Sequence, residues 1–270
     1  MKIMVIGSTG MLGSSVGRYF LNNNIDTTLT YRKESLRYGE KNIKFDILSK
    51  SDIHSLFNDY YDYYINCAGS IKQKISQENK EDILINSVFP WKLADMCEKH
   101  GSKLIHITTD CVFSGNLGKY SEDFTHDCLD FYGKTKSLGE PSNAMVIRTS
   151  IIGEELSGNA SLVEWAKSNA QNRVDGYTNH WWNGITTLQY AKICHNIIEN
   201  NYYKNDKFHI FSPKDICKHD LLGLISERFH LNLTIDPHKN KVSIDRTLRS
   251  SKNLVRQLEI PTINQQICEM

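Results

Sequence analysis

Lys2-Ile3-Met4-Val5-Ile6, followed at once by Gly7-Ser8-Thr9-Gly10-Met11-Leu12-Gly13, is the stretch that decides the fold. A short apolar run stopped by glycine has the length of a buried strand. Behind the turn, Ser14 to Leu21 carries its apolar residues at helical spacing. Glycines between a strand and a helix let the backbone approach a pyrophosphate, and the helix start offers free N–H groups and the positive end of its dipole. The spacing here is G-x-x-G-x-x-G, not the G-x-G-x-x-G of the usual dinucleotide fingerprint. Taken alone, the turn fits a phosphate cradle or merely a tight strand-to-helix connection.

The next 140 or so residues favour the cradle, because strand and helix patterns go on alternating. Strands are expected at Asp26 to Thr30, Ile43 to Asp46, Asp62 to Ile65, Leu104 to Ile107 and Met145 to Arg148. Between the third and fourth of these lies Asp82 to His100, where Ile83, Leu84, Val88, Leu93, Ala94, Met96 and Cys97 recur at helical spacing. Pro90 inside that pattern predicts a kink or an early turn. Such alternation implies an α/β fold, a doubly wound parallel Rossmann sheet over residues 1–150. Residues 151–270 read as a small substrate-binding lobe whose segments return to the sheet more than once. The second strand ends in Tyr31-Arg32-Lys33, where an acid suits a ribose hydroxyl and an arginine a 2′-phosphate. The basic pair favours NADP(H) over NAD(H), unless it is only a solvated loop charge. Asp46-Ile47 is placed to border the adenine, and Asn66-Cys67-Ala68-Gly69 offers small residues where a cofactor can approach the backbone.

A second centre lies downstream. Leu104 to Ile107 runs into Thr108-Thr109-Asp110, which sets two hydroxyls at the carboxyl end of a buried strand, just where open α/β sheets bind ligands. Tyr132 and Lys136 then stand four apart in a helical run, so they share one face. An ammonium beside a phenol favours the phenolate, which predicts a tyrosine pKa drawn down from about 10. Tyr203 and Lys207 repeat the spacing inside a polar Asn/Asp-rich stretch and read as solvated surface.

Composition excludes little but points one way. The 270 residues carry a net charge of +1 and 40% hydrophobic residues, which argues against a nucleic-acid surface. Seven scattered cysteines without a C-x-x-C suit a reducing compartment rather than a disulfide framework or a zinc site. With a strand starting at Lys2 and no apolar run of membrane-spanning length, the expectation is a cytoplasmic protein without a signal peptide or membrane contact.

Gly7-x-x-Gly10-x-x-Gly13, Asn66-Cys67-Ala68-Gly69, Thr108-Thr109-Asp110-Cys111-Val112-Phe113 and Tyr132-Gly133-Lys134-Thr135-Lys136-x-x-Gly139-Glu140 together resemble the extended short-chain dehydrogenase/reductase superfamily. Within it they look most like the dTDP-4-dehydrorhamnose reductases. The resemblance implies a catalytic set of Thr109, Tyr132 and Lys136. It also implies a cofactor site lined by Gly7, Thr9, Gly10, Met11, Leu12, Gly13, Tyr31, Arg32, Asp46, Ile47, Ala68, Gly69 and Ser70 together with Tyr132 and Lys136. The implied activity is NADPH-dependent reduction of a 4-keto-6-deoxy nucleotide sugar in deoxysugar or surface polysaccharide biosynthesis. The substrate partner would be a nucleotide-diphosphate sugar, and the family often dimerises through the helices after its fourth and fifth strands.

Two departures open alternatives. Cys111 replaces a tyrosine of the family pattern and stands where the related GDP-fucose synthases carry a cysteine acid/base, so an epimerase/reductase is one alternative. A buried free cysteine also serves simply as a small hydrophobe. Cys128 stands where a proline is common. A non-catalytic dinucleotide-binding regulatory subunit is the other alternative, although an intact Thr109/Tyr132/Lys136 set is of no use to a pure binder. On the substrate side, Trp182 and Asn183 in Asn179-His180-Trp181-Trp182-Asn183-Gly184 are candidates for contact with a base or sugar, or equally for core packing. His106 and His180 lack companions for a metal. Lys239, Lys241, Arg246, Arg249, Lys252 and Arg256 form a basic run that is either a solvated face or a contact to a diphosphate.

Overall fold

The structure is a computed structural model that describes residues 1–33, 38–49, 53–72 and 79–270. β1 (Lys2–Ile6) leads through the glycine turn into α1 (Met11–Asn22), and β2 (Asp26–Tyr31), β3 (Asn42–Lys44) and β4 (Tyr63–Asn66) follow. The long helical pattern resolves into α2 (Lys80–Ile83), a π-helical segment Leu84–Val88 and α3 (Phe89–Lys99). After it come β5 (Lys103–Thr108), α4 (Phe131–Leu138) and β6 (Met145–Arg148). The rest of the chain contributes β7 (Ile151–Ile152), α5 (Leu162–Ser168), β8 (Arg173–Tyr177), β9 (His180–Trp182), β10 (Ile185–Thr186) and α6 (Thr187–Glu199). It ends with β11 (Asp206–His209), β12 (Ile216–Cys217), α7 (Lys218–Arg228), β13 (Thr234–His238), β14 (Ile244–Asp245), α8 (Leu254–Gln257) and α9 (Ile263–Cys268).

Among the described residues seven strands form one parallel sheet in the order β11-β6-β5-β4-β1-β2-β3. The chain winds outward from β1 in one direction and from β4 in the other, so the crevice between the ends of β1 and β4 is the switch point where ligands of such sheets bind. Strands buried on both faces explain the near-continuous apolar runs: Ile3, Met4, Val5 and Ile6 are all almost inaccessible. One core lies between the sheet and α1 with α6, the other beneath α3. A third core, built by Trp182, Leu221, Ile225 and Ile263, belongs to the C-terminal segments. There β12, β9 and β14 form a three-stranded sheet.

The turn after β1 has the geometry its glycines permit. Gly7 has φ +82°, and a Cβ there would lie 2.9 Å from the backbone of Ala68. A Cβ on Gly13 would lie 2.2 Å from the Gly7 carbonyl oxygen, which packs α1 against the strand as only glycine allows. The helix begins at Met11, three residues before the sequence pattern indicates, because the turn's own residues form its first turn.

Pro90 does not break its helix. Proline lacks the N–H that would bond the Asn86 carbonyl and its ring crowds that oxygen. The backbone accommodates this by widening to a π-turn over Leu84–Val88. Tyr203 also departs from expectation. Rather than standing in solvent, it packs edge-on over Tyr63 and accepts a hydrogen bond from Leu104 N at 3.3 Å.

A buried polar cluster ties the end of the sheet to the C-terminal segment. Arg148 donates to both oxygens of Glu140 (2.8 and 2.7 Å) and contacts His209 Nε2 at 3.2 Å. Glu122 accepts from His209 N and Ser250 Oγ. Burial lowers the pKa of His209 to about 4, with Glu122 opposing and Arg148 assisting, and that of His106 to about 3, with Lys136 assisting. The unfolded chain takes up these protons near pH 6.5, but the folded chain resists until far lower pH. Their contribution is therefore intact above pH 6.5 and is lost as pH falls toward 4. Chemical denaturation should show stability dropping by roughly 3–4 kcal/mol between pH 7 and pH 5, at about 1.4 kcal/mol per unit per group. His106→Gln should flatten that slope, and an unchanged slope would assign it to other groups.

Candidate active site

The glycine turn presents what a pyrophosphate needs. Gly10 caps α1 without any side-chain hydrogen bond, so the N–H groups of the first turn remain available. Ser8 is fully buried, donates to Val5 O and accepts from Thr30 N, while Gly7 N donates to Thr30 Oγ1. The turn is thereby fixed to β2. Thr9 and Gly10 are exposed, Met11 is partly so, and Leu12 and Gly13 are buried.

At the end of β2, Arg32 and Lys33 are exposed beside Tyr31. They line a cleft of about 510 Å3 with Lys44, Asp46 and Ser49. The Asp46 carboxylate accepts from Leu48 N at 3.0 Å, and Ile47, like Ala68, packs against the core beneath α3. Lys44, one strand over, brings a third cation that the sequence reading did not single out.

Ala68, Gly69 and Ser70 follow β4 across the crevice. Ser70 N donates to Asn86 Oδ1 at 2.9 Å, and Asn86 Nδ2 donates to Ser70 O and to Thr135 Oγ1, each at 3.2 Å. Ser87 Oγ adds a 2.7 Å bond to Thr135 O. The π-turn thus aims Asn86 between Ser70 and α4. Sequence reading missed Asn86; the available signal was Pro90 four residues later, since π-turns recur at functional sites.

α4 opens on Asp130, which accepts from Gly133 N at 2.9 Å as N-cap and pairs with Lys72 at 3.0 Å. Its helical spacing puts Tyr132 and Lys136 on one face, as their separation indicates. Lys136 is buried, and its Nζ lies so near Gly69 that a Cβ on that residue would be 2.7 Å away. Burial lowers its pKa to about 8 against the pull of Glu140 and Cys67.

Thr109 ends the strand run. Its hydroxyl donates to Asp110 Oδ1 at 3.2 Å and accepts from Cys111 N at 3.1 Å. It also interacts with the Tyr132 phenol and pulls that pKa down. The pull is outweighed. Burial first, then Cys111, Asp110 and Asp130, raise the tyrosine well above 10, contrary to the expectation of a phenol drawn down by Lys136. The physical reason is that burial takes the phenol out of water, where the phenolate is disfavoured, and the carboxylates of Asp110 and Asp130 and the Cys111 thiol add to that. Lys136 is not among the phenol's main influences, and its ammonium lies against Gly69.

Cys111 is partly buried, and burial with Asp110 pushes its thiol up to about 12, so it keeps its proton across the neutral range. Asn183 is corrected from candidate substrate contact to structural residue. Its amide donates to Leu248 O and Asp215 and accepts from Leu248 N, which engages the side chain on both sides. Trp182 is buried in the third core with a lysine, Lys218, 5.1 Å above its ring. The basic run divides: Arg249 pairs with Asp215, Lys252 with Asp206, Lys239, Lys241 and Arg256 are exposed, and Arg246 turns toward Phe113. Cys217, His219 and Asp220 come together at the first turn of α7, but His219 Nδ1 is already engaged with Asp220 at 2.8 Å and the positive helix end disfavours a cation. Among the described residues no helix is long and apolar enough to cross a membrane.

Methionine adenosyltransferase 2 subunit beta of Pongo abelii is 26% identical over 248 residues, 85% of this chain and 72% of that protein. The probable low-salt glycan biosynthesis reductase Agl14 of Haloferax volcanii is 27% identical over 180 residues, 62% of this chain and 60% of that one. The dTDP-4-dehydrorhamnose reductase of Bacillus anthracis str. Ames, solved in complex with NADP, has the same fold at a TM-score of 0.80, with 16% identity, covering 99% of this chain and 97% of that one. The family model described as the RmlD substrate binding domain matches residues 1–259, and the chain belongs to that family.

Proposed function

We propose that the chain is an NADPH-dependent reductase of a 4-keto-6-deoxy nucleotide sugar. The observation that carries the reading is that Thr109 stands against Tyr132 while Lys136, one helical turn on, lies against Gly69, next to the Ala68 on which the glycine cradle packs. The cradle, its free N–H groups and the cations Arg32, Lys33 and Lys44 fit a dinucleotide with a 2′-phosphate. When bound, the dihydronicotinamide supplies a hydride to the carbonyl carbon. Thr109 Oγ1 orients the carbonyl oxygen by hydrogen bonding, and Tyr132 Oη, kept protonated by burial, donates the proton. Lys136, whose ammonium lies against Gly69, would hold a ribose hydroxyl of the cofactor. Asn86 fixes the Ser70 loop against α4, so cofactor side and acid keep their relative position. Residues 1–150 carry the cofactor and the later segments the sugar nucleotide.

Turnover is tested by incubating the protein with 4-keto-6-deoxy sugars of dTDP, GDP, UDP and CDP and following NADPH or NADH absorbance and product NMR. No oxidation with any of them defeats the reading. For cofactor choice, Arg32→Ala combined with Lys44→Ala should weaken NADPH binding by roughly 10–100-fold and leave NADH nearly unchanged, as expected for lost charge-assisted contacts. Equal effects on both cofactors would remove the 2′-phosphate assignment.

A second reading is favoured by the relatives named methionine adenosyltransferase 2 subunit beta: a dinucleotide-binding subunit that serves a larger enzyme. Co-purification with a partner enzyme, together with no turnover on any keto sugar, would select it.

A further inference from the structure

Tyr38 takes no part in the chemistry proposed for Thr109, Tyr132 and Lys136, yet it reaches the glycine turn. It lies ahead of β3 and packs against the core that the sheet shares with α1, where the guanidinium of Arg18 stands 5.1 Å from the centre of its ring. Its hydroxyl donates to the Ser8 carbonyl oxygen at 2.8 Å. Burial, against the pull of Arg18, pushes the phenol up to about 12, so it stays a donor throughout the neutral range.

A carbonyl in a turn has no ladder partner, and Tyr38 supplies one. The consequence lies on the other side of the peptide. Among the described residues no peptide bond is cis, so the Ser8 C=O and the Thr9 N–H point in opposite directions. With the oxygen held toward Tyr38, the hydrogen is turned away from the packed core. Thr9 is exposed, and its N–H meets no acceptor among the described residues. The bonds of Ser8 to Val5 and Thr30 fix that residue to the strands, whereas the bond from Tyr38 fixes the plane of the peptide that follows. A carbonyl that accepts a hydrogen bond also polarises its amide, which makes the N–H a better donor.

We propose that Tyr38 is a positioning residue of the cofactor cradle, holding the Ser8–Thr9 peptide so that the Thr9 N–H is aimed at a phosphate oxygen of the bound dinucleotide. The inference rests on the proposed reading of the crevice as a dinucleotide site. It is independent of the choice between NADPH and NADH, since the diphosphate is common to both and the 2′-phosphate is assigned to Arg32, Lys33 and Lys44.

Two measurements on the full chain test it: calorimetric titration of NADPH, NADH and ADP into the wild type and Tyr38→Phe, and proton–nitrogen correlation spectra with the Thr9 amide assigned. Tyr38→Phe should weaken all three ligands by a similar factor of roughly 3–10, the size of one hydrogen bond between neutral groups. In the wild type the Thr9 amide proton should move downfield when NADPH or ADP is added, and in the variant that movement should shrink. The spectrum separates positioning from mere support of the fold, because a loss of stability alone leaves the shift of the bound state where it was. Circular dichroism melts confirm that the variant is folded, and if it is not, the wild-type spectrum decides. Unchanged affinity in a folded variant, a loss confined to NADPH, or a wild-type Thr9 amide that responds to neither ligand overturns the role of Tyr38 while the proposed function stands. A wild type that binds neither NADPH nor NADH overturns the dinucleotide reading and this inference with it.

Discussion

Tyr132→Phe should bind NADPH nearly as well as the wild type and lose turnover by about 10²–10⁴-fold, the range that a positioned proton donor contributes. The substitution removes one oxygen from a ring whose carbon frame is held by α4, so the cradle, Arg32, Lys44 and Lys136 are left in place. Fluorescence titration of NADPH and single-turnover reduction of whichever keto sugar is accepted measure the two quantities. In this site burial, Cys111, Asp110 and Asp130 hold the proton on the phenol, which suits an acid in the reducing direction. Retained activity in the phenylalanine variant would mean that another group protonates the product, and Cys111, whose thiol is pushed up to about 12, would be the group to examine next.

Arg148→Met should lower the unfolding free energy by roughly 3–5 kcal/mol, because it strands Glu140 in the interior. Glu140 is 4% exposed, and its remaining cationic neighbour, Lys207, is 3.9 Å away, while burial lowers the pKa of the nearby His126 and so disfavours its charged form. For a chain of this size the thermal midpoint should fall on the order of 10 °C. Replacing both partners with apolar residues should cost less than replacing either one, since a buried pair is worth little more than the burial cost it offsets. A double-mutant cycle in urea checks this, and a single substitution costing under about 1 kcal/mol would show that water reaches Glu140. The same ion pair connects the residue after the α4 C-cap with β6, so the measurement also reports how firmly the end of the helix bearing Tyr132 is anchored.

The sequence by itself determined the elements whose causes are local. Apolar runs stopped by glycine gave β1 and its turn, and a spacing of four put Tyr132 and Lys136 on one helical face, because strand and helix periods are properties of neighbouring residues. Met145–Arg148 was legible as a strand to its ends, and the basic end of β2 was visible without coordinates. Other features depend on residues far apart in the chain, and only the tertiary structure decided them. Asn86 reaches Ser70 and Thr135 because a proline widens its helix. Asn183, which its position beside a tryptophan offered as a substrate contact, is engaged by Leu248 and Asp215. The charge state of Tyr132 follows first from its burial and then from Cys111, Asp110 and Asp130 around it, with no pull from the lysine one turn away among the main influences. Lys218 comes over the Trp182 ring because β12 pairs with β9 some 35 residues earlier in the chain. Spacing along a chain fixes which side chains share a face, whereas burial and long-range pairing fix what that face meets, and a pKa or a binding site depends on the second.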